Sequence, residues 1–158
     1  MKEGKRKKIH VSEATTGMVE DILGSNLRPV EKLFLSLEWF LREESPFELL
    51  GDDLKNVREN AHTFMRRKIP ADLCLTALKE AQDIFHANDE QEAFSALLGL
   101  SYYSYVDNEF VYDHKTKKGL LSKLVEVGIS PSKIKSLNSK WKRITGSSED
   151  LFNKIFQK

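Results

Sequence analysis

Hydrophobic residues recur along this chain at intervals of three and four, the spacing that places side chains on one face of an α-helix. The clearest stripe predicts a helix over about residues 28–44 and consists of Val30, Leu33, Phe34, Leu37, Phe40 and Leu41. The stripe in residues 89–105 is apolar on nearly every side, so this helix is expected to be the central buried element. Residues expected in the core are Leu97, Leu98, Phe85, Leu37 and Trp141.

Residues that start and stop helices separate these stripes. Side chains that cap a helix or fix its first turn precede them, namely Ser12, Pro29, Asp52, Pro70, Asp89, Asp113, Pro131 and Ser147. Glycines that end a helix follow several of them, namely Gly24, Gly51, Gly128 and Gly146. Only residues 109–112 could form a strand, and they are too few to build a sheet. The pattern predicts an all-α fold, a compact single-domain bundle of about six to eight helices over residues 12–158. Residues 1–11 are predicted to be a flexible basic arm.

Composition places the chain among ordinary globular domains. Its 158 residues include 40% hydrophobic and 31% charged side chains, which suits one domain with one core. The chain has neither an apolar run of about 20 residues nor an apolar segment after its charged N-terminus, so we expect no membrane span and no secretory signal. Cys74 is the single cysteine, which excludes an intramolecular disulfide and disfavours a thiolate zinc site. The expected location is therefore the cytoplasm, or the nucleus of a eukaryotic source.

The net charge of +1 hides a strong segregation of charge along the chain. Residues 1–10 carry a net +4, residues 11–113 have 9 basic and 20 acidic side chains for a net −11, and residues 114–158 have 11 basic and 3 acidic side chains for a net +8. One interpretation is contact between the basic ends and a polyanion. The other is that the basic C-terminal third packs beside the acidic middle and neutralises it.

The segment 121–137, LSKLVEVGISPSKIKSL, resembles the helix-turn-helix of DNA-binding proteins. Gly128 would supply the turn, where glycine adopts a positive φ without strain, and Ile129 would fill the angle between the helices. Ile134 and Leu137 would hold the second helix against the first. Leu124 departs from the motif, which usually has a small residue there.

The resemblance implies a set of basic residues that contact phosphates. In the second helix and its continuation these are Lys133, Lys135, Lys140, Lys142 and Arg143. Apart from this resemblance, the basic run of the N-terminal arm is a candidate phosphate-binding segment, with Lys5, Arg6, Lys7 and Lys8. Lysines suit phosphates better than base edges, so sequence-independent contact is the expected mode. The alternative is an ordinary helical corner with a solvated basic face, and for the arm a nuclear-import signal or a solubilising tail.

Residues 94–134 are similar to the repeat unit of the TerB-like helical family, which is associated with tellurite resistance and stress response. The matching positions are Asp107, Asn108, Glu109, Phe110, Asp113, Gly128, Ile129, Ser130 and Pro131. Asn108 stands where that unit usually has glycine, and the first half of the chain lacks the family's companion acidic loop. The resemblance implies an all-helical fold and cation binding by Asp107, Glu109 and Asp113, since carboxylate oxygens suit hard cations. The alternative is that these acids are turn and cap residues and that no metal is bound.

The sequence has no recognisable catalytic constellation. Arg58 and His62 resemble the Arg and His pair of helical ribonucleases, but the usual spacing there is longer. The histidines have no metal-ligand spacing, no glycine-rich phosphate loop is present, and Cys74 lies among leucines as a buried thiol would. We therefore expect no enzyme and no cofactor. Two functions stay open: a non-enzymatic binding domain that contacts nucleic acid, and a protein-interaction or scaffold domain of TerB-like type. The oligomeric state is not predicted.

Overall fold

The computed structural model describes residues 13–44, 54–107 and 131–156, which fold into seven α-helices and contain no strand. The helices are α1 (Glu13–Leu23), α2 (Pro29–Glu44), α3 (Leu54–Lys68), α4 (Ala71–Phe85), α5 (Glu90–Asp107), α6 (Pro131–Thr145) and α7 (Ser148–Phe156). The predicted all-α fold is confirmed for these residues. The predicted arm, the candidate strand at 109–112 and the predicted helix at 113–128 lie outside them. No helix among the described residues is long and apolar enough to cross a membrane.

Two of the predicted capping residues, Asp89 and Ser147, form cap hydrogen bonds. The carboxylate Oδ1 of Asp89 accepts from the backbone N–H of Glu92 at 2.7 Å at the start of α5. At α7, the Ser147 hydroxyl accepts from the N–H of Asp150 at 3.1 Å, and Asp150 accepts from the N–H of Ser147 at 3.2 Å. This reciprocal pair satisfies two backbone donors that a helix start leaves without partners. Gly146 makes the turn before it with a φ of 91°.

The helix with the most neighbours is α2, which packs against α1, α3, α4, α5 and α7. Residues 33–38 of α2 are all buried, including Ser36 and Glu38, which lie on opposite flanks of the hydrophobic stripe. The prediction that α5 alone is central is therefore incomplete: α5 is buried over 96–102, as expected, but α2 occupies the middle of the bundle. The sequence of α2 has an amphipathic pattern, yet other helices also cover Ser36 and Glu38 on the two flanks of its stripe.

Aromatic contacts join the helices around Trp141, which is 1% exposed. Its ring centroid lies 4.8 Å from that of Phe34 in α2 and 6.1 Å from that of Phe85 in α4. The five residues predicted for the core are all buried. Because Trp141 belongs to α6, these contacts hold α6 against both α2 and α4.

Candidate nucleic-acid interface

The inward side of α6 fixes which of its residues face solvent. Ile134, Leu137 and Trp141 are at most 4% exposed and follow one another at intervals of three and four, so they form a single stripe against the bundle. Thr145 continues this stripe, and its hydroxyl donates to the Trp141 carbonyl at 2.8 Å. A helix held by such a stripe cannot turn about its axis without exposing the tryptophan.

The outward side of α6 is basic. Lys133, Lys135, Lys142 and Arg143 are exposed and Lys140 is half-buried, so all five predicted phosphate-contacting residues of this helix reach the surface. The helix contains no acidic residue, and its other exposed polar residues are serines. Within the described part of the chain, the last four of these cations, from Lys135 onward, form no ion pair. We call these five cations together the basic face of α6.

Helical geometry divides the basic face into two edges. Lys133 and Lys140 are seven residues apart, as are Lys135 and Lys142, so each pair lies on one line along the axis with about 10.5 Å between its members. The two lines flank the exposed surface on opposite sides, and Arg143 lies between them. The face can therefore meet a polyanion over two turns of helix.

One edge of the basic face borders an open groove between α4 and α6. Its lining residues are Asp83, Ile84, His86, Lys140, Arg143 and Ile144, and its volume is about 400 Å³. Ile144 is 48% exposed, and with Ile84 it gives the groove an apolar floor. His86 follows α4 in the left-handed conformation, with φ 57° and ψ 41°. We call this the α4–α6 groove.

The groove corrects one expectation and adds residues that the sequence did not indicate. Ile144 follows Leu137 by seven residues, a spacing that predicts a place on the buried stripe of α6, and it is instead 48% exposed at the last turn of the helix. Ile84 and His86 come from the end of α4, some 55 residues earlier in the chain. No spacing within one segment could have shown that they meet Lys140.

A second basic cluster, which the sequence pattern did not single out, ends α3. It consists of Arg66, Arg67 and Lys68, and the two arginines are exposed. Cations in the last turn of a helix interact favourably with its dipole, which is a sufficient structural reason for them. The chain enters α4 directly after this cluster, whereas the α4–α6 groove lies at the other end of α4. The two basic regions are therefore separated by the length of α4, about 22 Å.

A buried carboxylate, which the sequence pattern also did not single out, connects three helices. Glu38 of α2 is 1% exposed, and its Oε2 accepts from the hydroxyls of Ser104 in α5 at 3.0 Å and Ser148 in α7 at 3.4 Å. Its Oε1 has no hydrogen-bond partner among the described residues. Burial raises the pKa of Glu38 to about 7, against smaller lowering effects of the two serines and of Arg42. The signal in the sequence was a lone acid within the apolar run LFLSLEWFL.

Several predicted residues lie where the structure does not test them. The arm residues Lys5, Arg6, Lys7 and Lys8 are outside the described residues, as are Glu109 and Asp113. Asp107 is the last residue of α5. Within residues 13–44, 54–107 and 131–156, no group of three His, Cys, Asp or Glu side chains is placed to hold a metal. Of the helix-turn-helix pattern, the second helix is α6, while the first helix and the turn lie outside the described residues.

The residues considered for catalysis are placed as follows. Cys74 is half-buried rather than fully buried, and burial raises the pKa of its thiol, so less of it is thiolate at neutral pH. His62 is exposed, with its ring centroid 4.7 Å from that of Phe94.

No protein-family model matches the chain, and searches of curated proteins and of solved structures return no significant match. The similarity to the TerB-like unit therefore stays a prediction.

Proposed function

We propose that this protein is a non-enzymatic binding domain that contacts nucleic acid through the basic face of α6, together with its basic N-terminal arm. The observation that carries the proposal is that α6 presents five cations and no carboxylate on a helix whose rotation is fixed by Ile134, Leu137 and Trp141. Cations held in a fixed array can neutralise phosphates without ordering a flexible chain first.

The chemistry of the basic face favours the phosphate backbone over base edges. Four of its five cations are lysines, which act as point charges rather than as planar bidentate donors. The neighbouring serines Ser132, Ser136 and Ser139 add hydroxyl groups that can donate to phosphate oxygens. We therefore propose binding with little sequence preference.

The acidic middle of the chain limits the extent of the contact. Exposed acids lie on α1 and α4, for example Glu20, Asp21 and Asp72, and they repel phosphate strongly within the Debye length of about 8–10 Å. Nucleic acid is therefore expected to touch one side of the molecule, where the local charge is positive. A surface that wraps the strand is not expected, and the affinity should be modest.

The test is a matched pair of double variants in a retardation or fluorescence-anisotropy assay at low salt. Lys135→Gln/Lys142→Gln removes one edge of the basic face and should weaken binding of single-stranded or double-stranded probes by about tenfold or more, because each phosphate contact releases a condensed counterion. Lys79→Gln/Lys154→Gln removes the same charge from exposed positions on α4 and α7 and should change affinity little. An equal loss of affinity in both double variants would show that binding depends on net charge and not on the position of these lysines.

A protein-interaction domain is the second candidate, and one observation favours it. A cleft of about 920 Å³ between the end of α1, the start of α2 and the end of α7 is lined by three acids, Glu20, Asp21 and Glu31, and by two basic residues, Arg28 and Lys154. Because Arg28 pairs with Glu31 at 3.5 Å, the acidic character of the cleft comes mainly from Glu20 and Asp21. Phe156 also lines it and is 58% exposed. A basic segment of another protein with an apolar side chain would suit this cleft. If the intact protein retards neither DNA nor RNA at low salt, this candidate replaces the first.

A further inference from the structure

We propose that the α4–α6 groove holds one nucleotide of a single strand, with the base on the floor formed by Ile84 and Ile144 and the adjoining phosphate on Lys140 and Arg143. This inference rests on the proposed function and specifies it. It assigns to the basic face a preference for single strands over duplexes.

The groove offers the two surfaces that an unpaired nucleotide needs. A base presents a flat apolar face that can pack on apolar side chains, and the half-exposed Ile144 with Ile84 provides such a surface between the two helices. A phosphate requires cations within reach of that platform, and Lys140 and Arg143 line the same groove. A volume of about 400 Å³ is within the range of small-ligand sites.

His86 adds an aromatic ring at the rim of this platform. It is exposed, and its left-handed backbone ends α4, with the Ala87 N–H bonded to the Gln82 carbonyl at 3.0 Å. Histidine, like asparagine and aspartate, adopts this conformation more readily than other non-glycine residues, so the turn tolerates it and places its ring at the rim of the groove. An imidazole beside a base can stack on it.

Charge decides how the nucleotide lies in the groove. Asp83 and the carbonyl end of α4 repel a phosphate on the α4 side. Lys140 and Arg143 attract it on the α6 side, where no acidic residue is present in the helix. The phosphate therefore lies over α6 and the base over the floor towards His86.

A duplex cannot use the floor, because its bases are stacked and paired inside the helix. It can reach only the cations at the surface of α6. The groove should therefore add to the affinity for single strands and not to the affinity for duplexes, whereas the lysines should add to both.

The experiment measures the affinity of a short oligothymidylate and of a duplex of the same length for the intact protein. Wild type should bind the single strand about fivefold or more tightly than the duplex at equal salt. Ile144→Ser should remove most of this preference and leave duplex affinity unchanged. The control is Leu75→Ser, which changes an apolar residue of the same 48% exposure elsewhere on α4 and should have no effect.

Two further variants test the orientation. His86→Asn keeps a residue that tolerates the left-handed turn and should lower the affinity for the single strand alone. Asp83→Asn removes a repulsive charge and should raise the affinity for the single strand about two- to threefold. Equal affinity for both probes, or equal effects of Ile144→Ser and Leu75→Ser, would overturn the groove assignment. The assignment would also be overturned if oligoglutamate of equal charge competed for binding as effectively as oligothymidylate does. The proposed function survives those results if Lys135→Gln/Lys142→Gln still weakens binding, and it fails separately if wild type binds neither probe.

Discussion

Replacement of Glu38 by glutamine should stabilise the fold at neutral and alkaline pH. Glu38 is 1% exposed, and its carboxyl accepts hydrogen bonds from the hydroxyls of Ser104 and Ser148. Burial raises its pKa from 4.5 to about 7. Ionisation in the folded state therefore places a charge among α2, α5 and α7 that Arg42 and the two serines offset in part. Glutamine has nearly the same shape and no charge at any pH.

The magnitude follows from the two pKa values. A difference between 4.5 and about 7 corresponds to roughly 3 kcal/mol, since each tenfold change in proton affinity is worth about 1.4 kcal/mol. Between these values the folded state binds more protons than the unfolded state, so the free energy of unfolding falls as pH rises from about 4.5 to about 7. It stays lower above that range. The effect of Glu38 on stability is thus smallest in acid and largest in alkali.

Urea unfolding at about pH 5 and about pH 8, followed by far-UV circular dichroism, measures this effect. The free energy of unfolding of Glu38→Gln relative to wild type should rise by about 2 to 3 kcal/mol between the two pH values. Glu43→Gln is the matched control, because it replaces an exposed glutamate on the same helix by the same residue. A Glu38→Gln variant whose stability relative to wild type does not change with pH would refute the reasoning.

Three other variants or modifications test the packing. Gly146→Ala should cost about 1 kcal/mol or more, because φ is 91° and an added Cβ would lie 2.9 Å from Asp150 Oδ2; an unchanged melting temperature would argue against this turn. Trp141→Ala should lower the free energy of unfolding in urea by about 3–5 kcal/mol, since it removes the contacts of α6 with Phe34 and Phe85 and leaves a cavity. A much smaller decrease would mean that these contacts do not hold α6. Cys74 should react with an alkylating reagent more slowly in native than in urea-unfolded protein near neutral pH, since burial raises its pKa, and faster native labelling would contradict its placement.

Helix bounds were predictable because their signals act over three or four residues. Asp89 and Ser147 cap α5 and α7 with the bonds that their spacing predicted. The position of α2 was not predictable in the same way. Ser36 and Glu38 are polar residues on opposite flanks of its apolar stripe, and only the packing of the other helices shows that both flanks are covered.

The candidate site likewise has a part that the sequence could predict and a part that depends on packing between helices. Lys133, Lys135 and Arg143 could be predicted as an exposed basic set because one helix carries them and its apolar stripe fixes their direction. The α4–α6 groove could not, since His86 and Ile144 are far apart in the chain. Their proximity depends on the contact of Trp141 with Phe85.

The salt dependence of nucleic-acid affinity tests the central claim most directly. Log affinity should fall linearly with log salt concentration for wild type, and for a single strand the slope should become shallower by about two in Lys133→Gln/Lys135→Gln/Lys140→Gln, because each lost phosphate contact removes about 0.7 from it. The preference among strand sequences should not change. A triple variant with the wild-type slope, or a wild-type protein that binds neither strand nor duplex at low salt, would contradict the account.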